Sequence, residues 1–177
     1  MQQNNLDTSA IYQWQQHYVY FGNLPDIGAI QLKLQNNFPG AEVKAYYNMV
    51  YEFNRKHCSD KTVATEWIHT ILTANLVADP VLQKEYLDYH TTQFEKWPEV
   101  TKGFCNAGFQ QLLVFRNGRQ LMLVISIPKG ESLDKLNPKT TENNPRMDEW
   151  NKQMRKYQEG IEGTKKGETW VFFAPVQ

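Results

Sequence analysis

The clearest pattern of apolar and polar positions in the chain is a pair of β-rich runs separated by a tight-turn dipeptide. The runs are FQQLLVF and RQLMLVISI, and Asn117-Gly118 lies between them. Asn-Gly is preferred in two-residue hairpin loops because both of its residues tolerate positive φ. The pattern predicts a β-hairpin over residues 109–127.

A strand and a helix are predicted before this hairpin. The run WIHTILTANLVA at 67–78 is β-rich and mostly apolar, which is typical of a strand. Asp79-Pro80 then places a capping residue before a proline at the first helical position. Pro98 has no backbone N–H to donate, so we expect the helix to kink or restart there and to end near Gly108.

A second helix and a last strand are predicted after the hairpin. Asn144-Pro145 repeats the helix-start signal, and ETWVFFAPV at 168–176 reads as the closing strand. The apolar residues between them keep helical spacing on one stripe: Met147, Trp150, Met154, Tyr157 and Ile161. The order β-α-β-β-α-β predicts an α+β fold of the ferredoxin-like type for residues 67–177.

The hairpin strands are apolar on both faces. Leu113 and Phe115 point to one side, whereas Leu112 and Val114 point to the other. Two helices can cover only one face of a four-stranded sheet, so the second face must be buried elsewhere. The pattern predicts an α+β barrel, formed in a homodimer or by an internal pseudo-dimer partner within a monomer.

Residues 1–66 could supply that internal partner. HYVYFGNL reads as a strand, PDIGAIQLKLQNNFPG as an amphipathic helix, and AEVKAYYNMVYEFN as a pair of strands around Asn48. A short helix is expected at 60–66. The segment is therefore predicted to be a β-α-β-β extension, a degenerate half-copy of the same plan that packs on the open face of the sheet.

Composition and the cysteine pattern indicate which classes of partner and which cellular compartment to expect. The chain carries 19 lysine and arginine residues against 19 aspartate and glutamate residues, which argues against nucleic acid or an anionic membrane as a partner. MQQNNLDTSA lacks the regions of a signal peptide, and no apolar run is long enough to span a bilayer. Cys58 and Cys105 have no motif spacing and are interpreted as free thiols, which favours the cytoplasm.

One helical stripe carries candidate chemistry. Residues four and eleven apart on a helix point nearly the same way, so Tyr86, His90 and Trp97 share a face if the kink at Pro98 is mild. His90 could be a polar group in the aromatic wall of a small-molecule site, or an ordinary helix-face histidine with one hydrogen bond. The other histidines have no metal-ligand spacing, and His69 is interpreted as structural. No metal and no cofactor are predicted.

Several short motifs, in this order, resemble the L-rhamnose mutarotase family over about residues 67–177. They are an Asp-Pro six residues before a tyrosine, a Tyr-x-x-x-His, a Trp-Pro-Glu seven residues after that histidine, the hairpin, and the aromatic helix MDEWNKQM. The resemblance implies a sugar mutarotase, an isomerase that interconverts the α and β anomers of a deoxyhexose such as L-rhamnose or L-fucose. Residues 1–66 have no counterpart in the compact family members.

The family resemblance also implies roles for individual residues. His90 matches the proton donor, and Tyr86 matches a residue that contacts the sugar. On the second helix a tryptophan pair of the family is matched by Glu149 and Trp150, so Trp150 is expected to stack on the sugar. Glu149 is an outside candidate for acid–base work or hydroxyl binding, and Trp97 is expected to pack beneath the site. A further family tyrosine aligns with Leu112, which cannot donate a hydrogen bond.

Two other functions stay open at this point. The chain could be a non-catalytic sugar-binding or regulatory module, because Leu112 and Glu149 depart from the family pattern. It could also be a cofactor-free monooxygenase-type barrel or a haem-handling protein, with His69 or His90 as the functional histidine.

Overall fold

An antiparallel β-sheet organises the chain in the computed structural model, which describes residues 10–176. The strands of this range are β1 (Ile11–Trp14), β2 (His17–Tyr20), β3 (Asn48–Asn54), β4 (Trp67–Leu76), β5 (Gln111–Asn117), β6 (Gln120–Pro128), β7 (Gln158–Glu159) and β8 (Val171–Pro175). The helices are α1 (Ile27–Asn37), α2 (Pro80–Thr91), α3 (Gln93–Lys96), α4 (Pro98–Asn106), α5 (Leu133–Leu136) and α6 (Pro145–Met154). Short 3₁₀ helices cover Arg55–His57 and Asn137–Thr140. The mixture agrees with the predicted α+β class.

The strand order is β2-β1-β8-β4-β6-β5-β3, with β7 paired to β4. Every pairing in this sheet is antiparallel. The predicted hairpin is confirmed as β5–β6, but its two-residue loop is Gly118-Arg119 rather than Asn117-Gly118, since Asn117 pairs with Gln120 and Gly118 adopts a φ of +58°. Glycine suits that turn because a side chain is strained at positive φ.

No helix within residues 10–176 is long and apolar enough to cross a membrane.

The predicted helix starts are confirmed at both sites. The Asp79 carboxylate accepts hydrogen bonds from the backbone N–H of Val81 at 2.8 Å and of Leu82 at 3.4 Å. The side-chain oxygen of Asn144 accepts one from Met147 N–H at 3.3 Å. Each cap satisfies donors that the first helical turn leaves free, and a proline follows each cap as the first helical residue.

The interruption of the first long helix begins earlier than Pro98. Helix α2 ends at Thr91, the four-residue α3 follows, and α4 restarts at Pro98 as predicted. Thr92 bends the chain, because its hydroxyl donates to the Asp88 carbonyl at 2.9 Å and its backbone leaves helical geometry with a ψ of 7°. The break turns Trp97 back toward α2 rather than leaving it on one continuous stripe.

Both faces of the sheet are buried, as the hairpin pattern required. The helices cover one face. On the opposite face a second apolar cluster contains Tyr12, Ile71, Leu113, Met122, Val124, Val171 and Phe173. A flat sheet would keep β2 well away from β4, because β1 and β8 lie between them. Instead the ring of Phe21, next to β2, lies 5.1 Å from that of His69 on β4, so the N-terminal hairpin folds over this face.

The N-terminal segment differs from its prediction in element order. It is β-β-α-β rather than β-α-β-β, because Gln15 adopts a φ of +52° and turns the chain between β1 and β2 without a glycine. Residues 41–47 form no strand. Their would-be partner β5 ends at Asn117, whose side chain instead donates to the Ala45 carbonyl at 2.8 Å.

Residues 60–66 form bends and irregular backbone and no helix, contrary to expectation. Their backbone groups bond outside the segment: Thr62 O accepts from Arg55 at 3.2 Å, and Ala64 N–H donates to Gln110 at 2.8 Å. These bonds compete with helical ones. The expectation that the first residues lack a signal peptide concerns residues 1–9, which lie outside the described residues.

Cys58 and Cys105 are joined in a disulfide, so their interpretation as free thiols was wrong. The bond links the end of the N-terminal segment to α4, with Cα atoms 5.6 Å apart. The partners are 47 residues apart in sequence, and only the tertiary fold brings them together. Buried Arg55 reinforces the same junction, because it donates to the carbonyl of Cys105 at 3.3 Å. The thiol argument for the cytoplasm therefore no longer applies.

We expect the double substitution Cys58→Ala with Cys105→Ala to lower the free energy of unfolding by up to about 4 kcal/mol. The reason is the entropy that a loop of this length regains in the unfolded chain. Urea denaturation of the oxidised protein and of the variant measures the difference. A reductant should lower the stability of the parent protein and leave the variant unchanged. Equal stability of the variant and the oxidised parent would contradict a disulfide at this position.

Candidate active site

His90 is fixed by a hydrogen bond within its own helix. Its Nδ1 lies 2.9 Å from the carbonyl oxygen of Tyr86, one turn earlier on α2. A carbonyl oxygen can only accept, so Nδ1 must carry the proton. When the ring is neutral, Nε2 is therefore unprotonated and has a free lone pair.

Burial keeps the His90 ring neutral. The residue is 8% exposed, and desolvation lowers the pKa of His90 to about 4, although the bond to the Tyr86 carbonyl works in the opposite direction. The imidazolium form is scarce at neutral pH for this reason. The arrangement presents a neutral ring whose Nε2 is ready to accept a proton.

Three aromatic rings enclose the imidazole. The ring centroid of Tyr86 lies 4.2 Å from that of His90, and those of Tyr51 and Trp150 each lie 5.3 Å away. Tyr51 and Trp150 meet the imidazole edge to face, the arrangement that aromatic quadrupoles prefer. These four residues come from β3, α2 and α6, so the site depends on three distant parts of the chain.

A second layer of aromatic residues surrounds Trp150. Its ring lies 5.6 Å from Trp97 and 6.0 Å from Tyr89, and Tyr89 lies 5.8 Å from Tyr157. Tyr89 and Trp97 are half-buried, whereas Trp150 and Tyr157 are buried. Flat apolar faces with a few polar tips are the usual lining of a small-molecule site.

The hydroxyl of Tyr157 in this second layer is hydrogen-bonded. The hydroxyl of Tyr157 donates to Glu85 at 3.1 Å and accepts from Gln153, and burial raises the pKa of Tyr157 to about 12. Tyr86 is 1% exposed, and burial raises the pKa of Tyr86 above its ordinary value. Both tyrosines are therefore protonated at neutral pH.

The five predicted site residues occupy three different settings. His90, Tyr86 and Trp150 come together, and Trp97 lies beside Trp150 at the rim. Glu149 points away: its side chain is 58% exposed and accepts from Arg146 at 2.6 Å. Its contact with the cluster is indirect, since the Arg146 guanidinium stacks 3.9 Å above the Trp97 ring.

Sequence reasoning missed Tyr51, Tyr89 and Tyr157 as members of the cluster. Tyr157 is on the predicted stripe of the second helix, but α6 ends at Met154, so Tyr157 reaches the cluster from the turn that follows the helix. Tyr89 precedes His90 directly, and helix periodicity alone would turn it away from the stripe. Tyr51 had no signal, because no sequence pattern predicts that β3 pairs with β5.

His69 and Leu112 take structural positions. The Nδ1 atom of His69 lies 2.9 Å from the Ser126 hydroxyl, and its ring contacts Phe21 on the face opposite the aromatic cluster. Leu112 is buried on the same side as the cluster, paired across strands with Phe53.

A cleft of about 480 Å³ opens beside this cluster, not over His90. The cleft is lined by Glu99, Lys102, Asn106, Lys139, Glu142, Asn143, Asn144, Pro145 and Arg146. It adjoins the cluster through Arg146, and it includes none of the five predicted site residues. The aromatic wall that we expected around His90 is present, but the rings are in contact with one another rather than spread around a void.

The Nε2 atom of His90 has no hydrogen-bond partner among residues 10–176. The half-buried rings of the cluster, Tyr89 and Trp97, lie against Trp150, which in turn contacts His90.

The fold and the site together define an α+β protein with a buried histidine inside an aromatic cluster. Comparison with known families identifies the group: the family model for L-rhamnose mutarotase matches residues 69–176, more than half of the chain. The chain belongs to the L-rhamnose mutarotase family. Membership supports a sugar mutarotase activity, which is that of an isomerase acting on carbohydrates.

Two curated proteins are similar to the same part of the chain. The L-fucose mutarotase of Xanthomonas campestris pv. campestris is 30% identical over 93 residues, which are 52% of this chain and 72% of that protein. A UPF0734 protein of Dictyostelium discoideum is 28% identical over 103 residues, which are 58% of this chain and 79% of that protein. The family match begins after residue 66, as the motif order predicted.

We expect the free energy of unfolding of the His90→Gln variant to fall less steeply on acidification than that of the parent protein. In the unfolded chain His90 binds a proton below about pH 6.5, whereas its folded pKa is about 4. Between these values the unfolded state holds more protons, so the free energy of unfolding falls as pH falls, by up to about 3 kcal/mol from this residue. Urea denaturation at several pH values measures the slope. Identical slopes in parent and variant would contradict a neutral buried His90.

Proposed function

We propose that this protein is a mutarotase that interconverts the α and β anomers of a deoxyhexose such as L-rhamnose or L-fucose. Family membership supports the reaction class, and the L-fucose mutarotase relative supports a 6-deoxy sugar. The observation that carries the proposal is the His90 ring, held neutral by burial and fixed by the Tyr86 carbonyl so that Nε2 is the reactive atom.

The chemistry of mutarotation suits one such nitrogen. Nε2 of His90 accepts the proton of the anomeric hydroxyl, which starts the formation of the C1 carbonyl. The resulting imidazolium then gives that proton to the ring oxygen as the C1–O5 bond breaks. Rotation about the C1–C2 bond and reversal of both transfers produce the other anomer. His90 thus acts first as a base and then as the proton donor that the family resemblance implies.

The aromatic residues would bind and orient the sugar. Trp150 stacks on the C–H face of the sugar, and Tyr86 backs the imidazole and holds its orientation. Trp97 and Tyr89 are the half-buried rings of this cluster, so they are the ones that a sugar displaces on entry. Glu149 holds Arg146 over Trp97, a role at the rim and not at the reacting carbon.

We further propose a ferredoxin-like domain at 67–177, completed by residues 1–66 in an intramolecular pseudo-dimer. The order β8-β4-β6-β5 supports the first point. The pairing of β1 with β8 and of β3 with β5 supports a monomer, because both edges of the domain sheet are occupied from the same chain. A cytoplasmic location stays a prediction, which the Cys58–Cys105 disulfide does not favour.

Two other functions receive no support from these comparisons. A monooxygenase-type barrel or a haem protein would need a different family, and the matched family is one of mutarotases. A non-catalytic sugar-binding module is an outcome of the following test, in which it would bind an anomer without accelerating exchange.

We expect the parent protein to accelerate anomer exchange of L-fucose or L-rhamnose and His90→Ala to abolish that acceleration. Positioned acid–base catalysis contributes about 10²–10⁴-fold, and the variant loses its proton carrier. Saturation transfer between the anomeric proton resonances measures exchange directly. Tyr86→Phe keeps the ring and the backbone carbonyl and should retain most of the rate. Parent-like exchange in His90→Ala would place the proton carrier elsewhere.

We expect the catalysed rate to be flat from about pH 6 to about pH 8 and to fall only as the pH approaches the His90 pKa of about 4. The neutral ring is the form that starts the reaction, and it predominates above that pKa. Subtracting the uncatalysed exchange at each pH gives the profile. A rate that instead declines as the pH rises above about 6.5, the ordinary histidine pKa, would mean that the imidazolium form starts the reaction.

A further inference from the structure

We propose that Tyr51 is a positioning residue for His90, so that one wall of the proposed site comes from the N-terminal segment and not from the family-matched part of the chain. The inference rests on the proposed function for its catalytic consequence. The family match begins at residue 69, whereas Tyr51 lies on β3, eighteen residues earlier (69 − 51).

The geometry places Tyr51 directly against the reactive ring. The Tyr51 and His90 centroids are 5.3 Å apart, with the planes at 80°. Tyr51 is 7% exposed and also stacks on Phe94 at 5.6 Å, so its ring fills the space between α3 and the imidazole. The described titratable groups whose rings contact His90 are Tyr51 from β3 and Tyr86 from α2, and Trp150 from α6 adds an apolar side.

The hydroxyl of Tyr51 is anchored away from the imidazole. It donates to the Gln93 side-chain oxygen at 2.8 Å, and Gln93 is fully buried. The Gln93 amide in turn donates to the Trp97 carbonyl at 2.9 Å and contacts the Thr101 hydroxyl at 3.1 Å. This network connects Tyr51 to the break between α2 and α4, which also carries Trp97. It fixes the ring without giving it a proton-transfer role.

The backbone of Tyr51 is equally constrained. Tyr51 pairs with Val114 on β5, directly after an irregularity in the ladder between Met49 and Tyr51. Four to seven residues later, Arg55 and Cys58 attach the end of the same segment to Cys105 on α4. The N-terminal segment is therefore attached both at Tyr51 and a few residues after it, and Tyr51 is the side chain that it places against His90.

The physical role follows from what the ring excludes. Dry surroundings lower the pKa of an imidazole, and tight packing holds its ring in one orientation. Removing the Tyr51 ring would leave a gap on the edge of His90 that the sheet cannot close, since β3 is held at both ends. Water would enter beside His90, and the ring would gain freedom to turn about its helix.

Three single variants test this role. Tyr51→Leu removes the aromatic wall, Tyr51→Phe keeps the wall and loses only the bond to Gln93, and Phe53→Leu is a matched control. Phe53 lies on the same strand and face, is fully buried, and contacts Phe104 rather than His90. The pKa of His90 is measured by NMR titration without sugar, and kcat and KM are measured for L-fucose anomer exchange.

In Tyr51→Leu we expect the His90 pKa to rise toward its ordinary value and kcat to fall about ten- to hundredfold, as misplacement of a reacting group does. In Tyr51→Phe both the His90 pKa and kcat should stay near the parent values. Phe53→Leu should lose stability but keep the parent pKa and kcat. An unchanged His90 pKa in Tyr51→Leu, or an equal change in Phe53→Leu, would overturn the proposal.

The two readouts separate this inference from the proposed function. If the parent protein does not accelerate exchange, the mutarotase proposal fails, and the His90 titration still decides whether Tyr51 controls that residue. If the parent is active and Tyr51→Leu titrates and turns over like it, the positioning role fails while the mutarotase proposal stands.

Discussion

The hydrogen bond from His90 Nδ1 to the Tyr86 carbonyl is the interaction on which the proposed chemistry depends. A neutral imidazole can carry its proton on either ring nitrogen, and this bond selects the tautomer with the proton on Nδ1 and a free lone pair on Nε2. The bond is local, one turn along α2, so the helix itself sets the tautomer. Burial then removes the charged form, and the neutral Nε2 that results is suited to begin a proton shuttle.

The rest of the fold maintains the conditions for that bond. The helices close one face of the sheet, and the aromatic residues of β3, α2 and α6 exclude water from His90. The N-terminal hairpin closes the opposite face, where Phe21 packs against His69. The disulfide and Arg55 attach the residues directly after β3 to α4, and β3 carries Tyr51, which contacts His90 from outside the family-matched region.

Local sequence signals predicted the parts of the fold whose stabilising contacts are local. The hairpin turn at Gly118 and the helix starts at Asp79-Pro80 and Asn144-Pro145 form their contacts within a few residues, and the hairpin and both helix starts were confirmed, with the loop one residue later than predicted. The cysteine pairing and the course of residues 41–47 and 60–66 depend on contacts far apart in sequence, and there the predictions were wrong, whereas the strand predicted after Asn48 was confirmed as β3. Gln15, a turn residue without glycine, hid the first hairpin.

The site residues were also predictable where local signals position them and not where distant contacts do. Helical spacing and family motifs brought out His90, Tyr86 and Trp150, which share one cluster in the structure. Tyr51 could not be found, because its place beside His90 depends on strand pairing between β3 and β5. Glu149 was selected because it aligns with one of the two family tryptophans, yet adjacent helical residues point about 100° apart, so it faces Arg146 and solvent.

The protonation of the His90 ring at neutral pH is the most direct measure of this account. Nitrogen-15 NMR of the histidine-labelled protein distinguishes a protonated ring nitrogen from a bare one, and His90→Gln assigns the signals. We expect Nδ1 to carry the proton and Nε2 to be bare. A ring protonated on both nitrogens at neutral pH, or on Nε2 alone, would contradict the proposed role of His90.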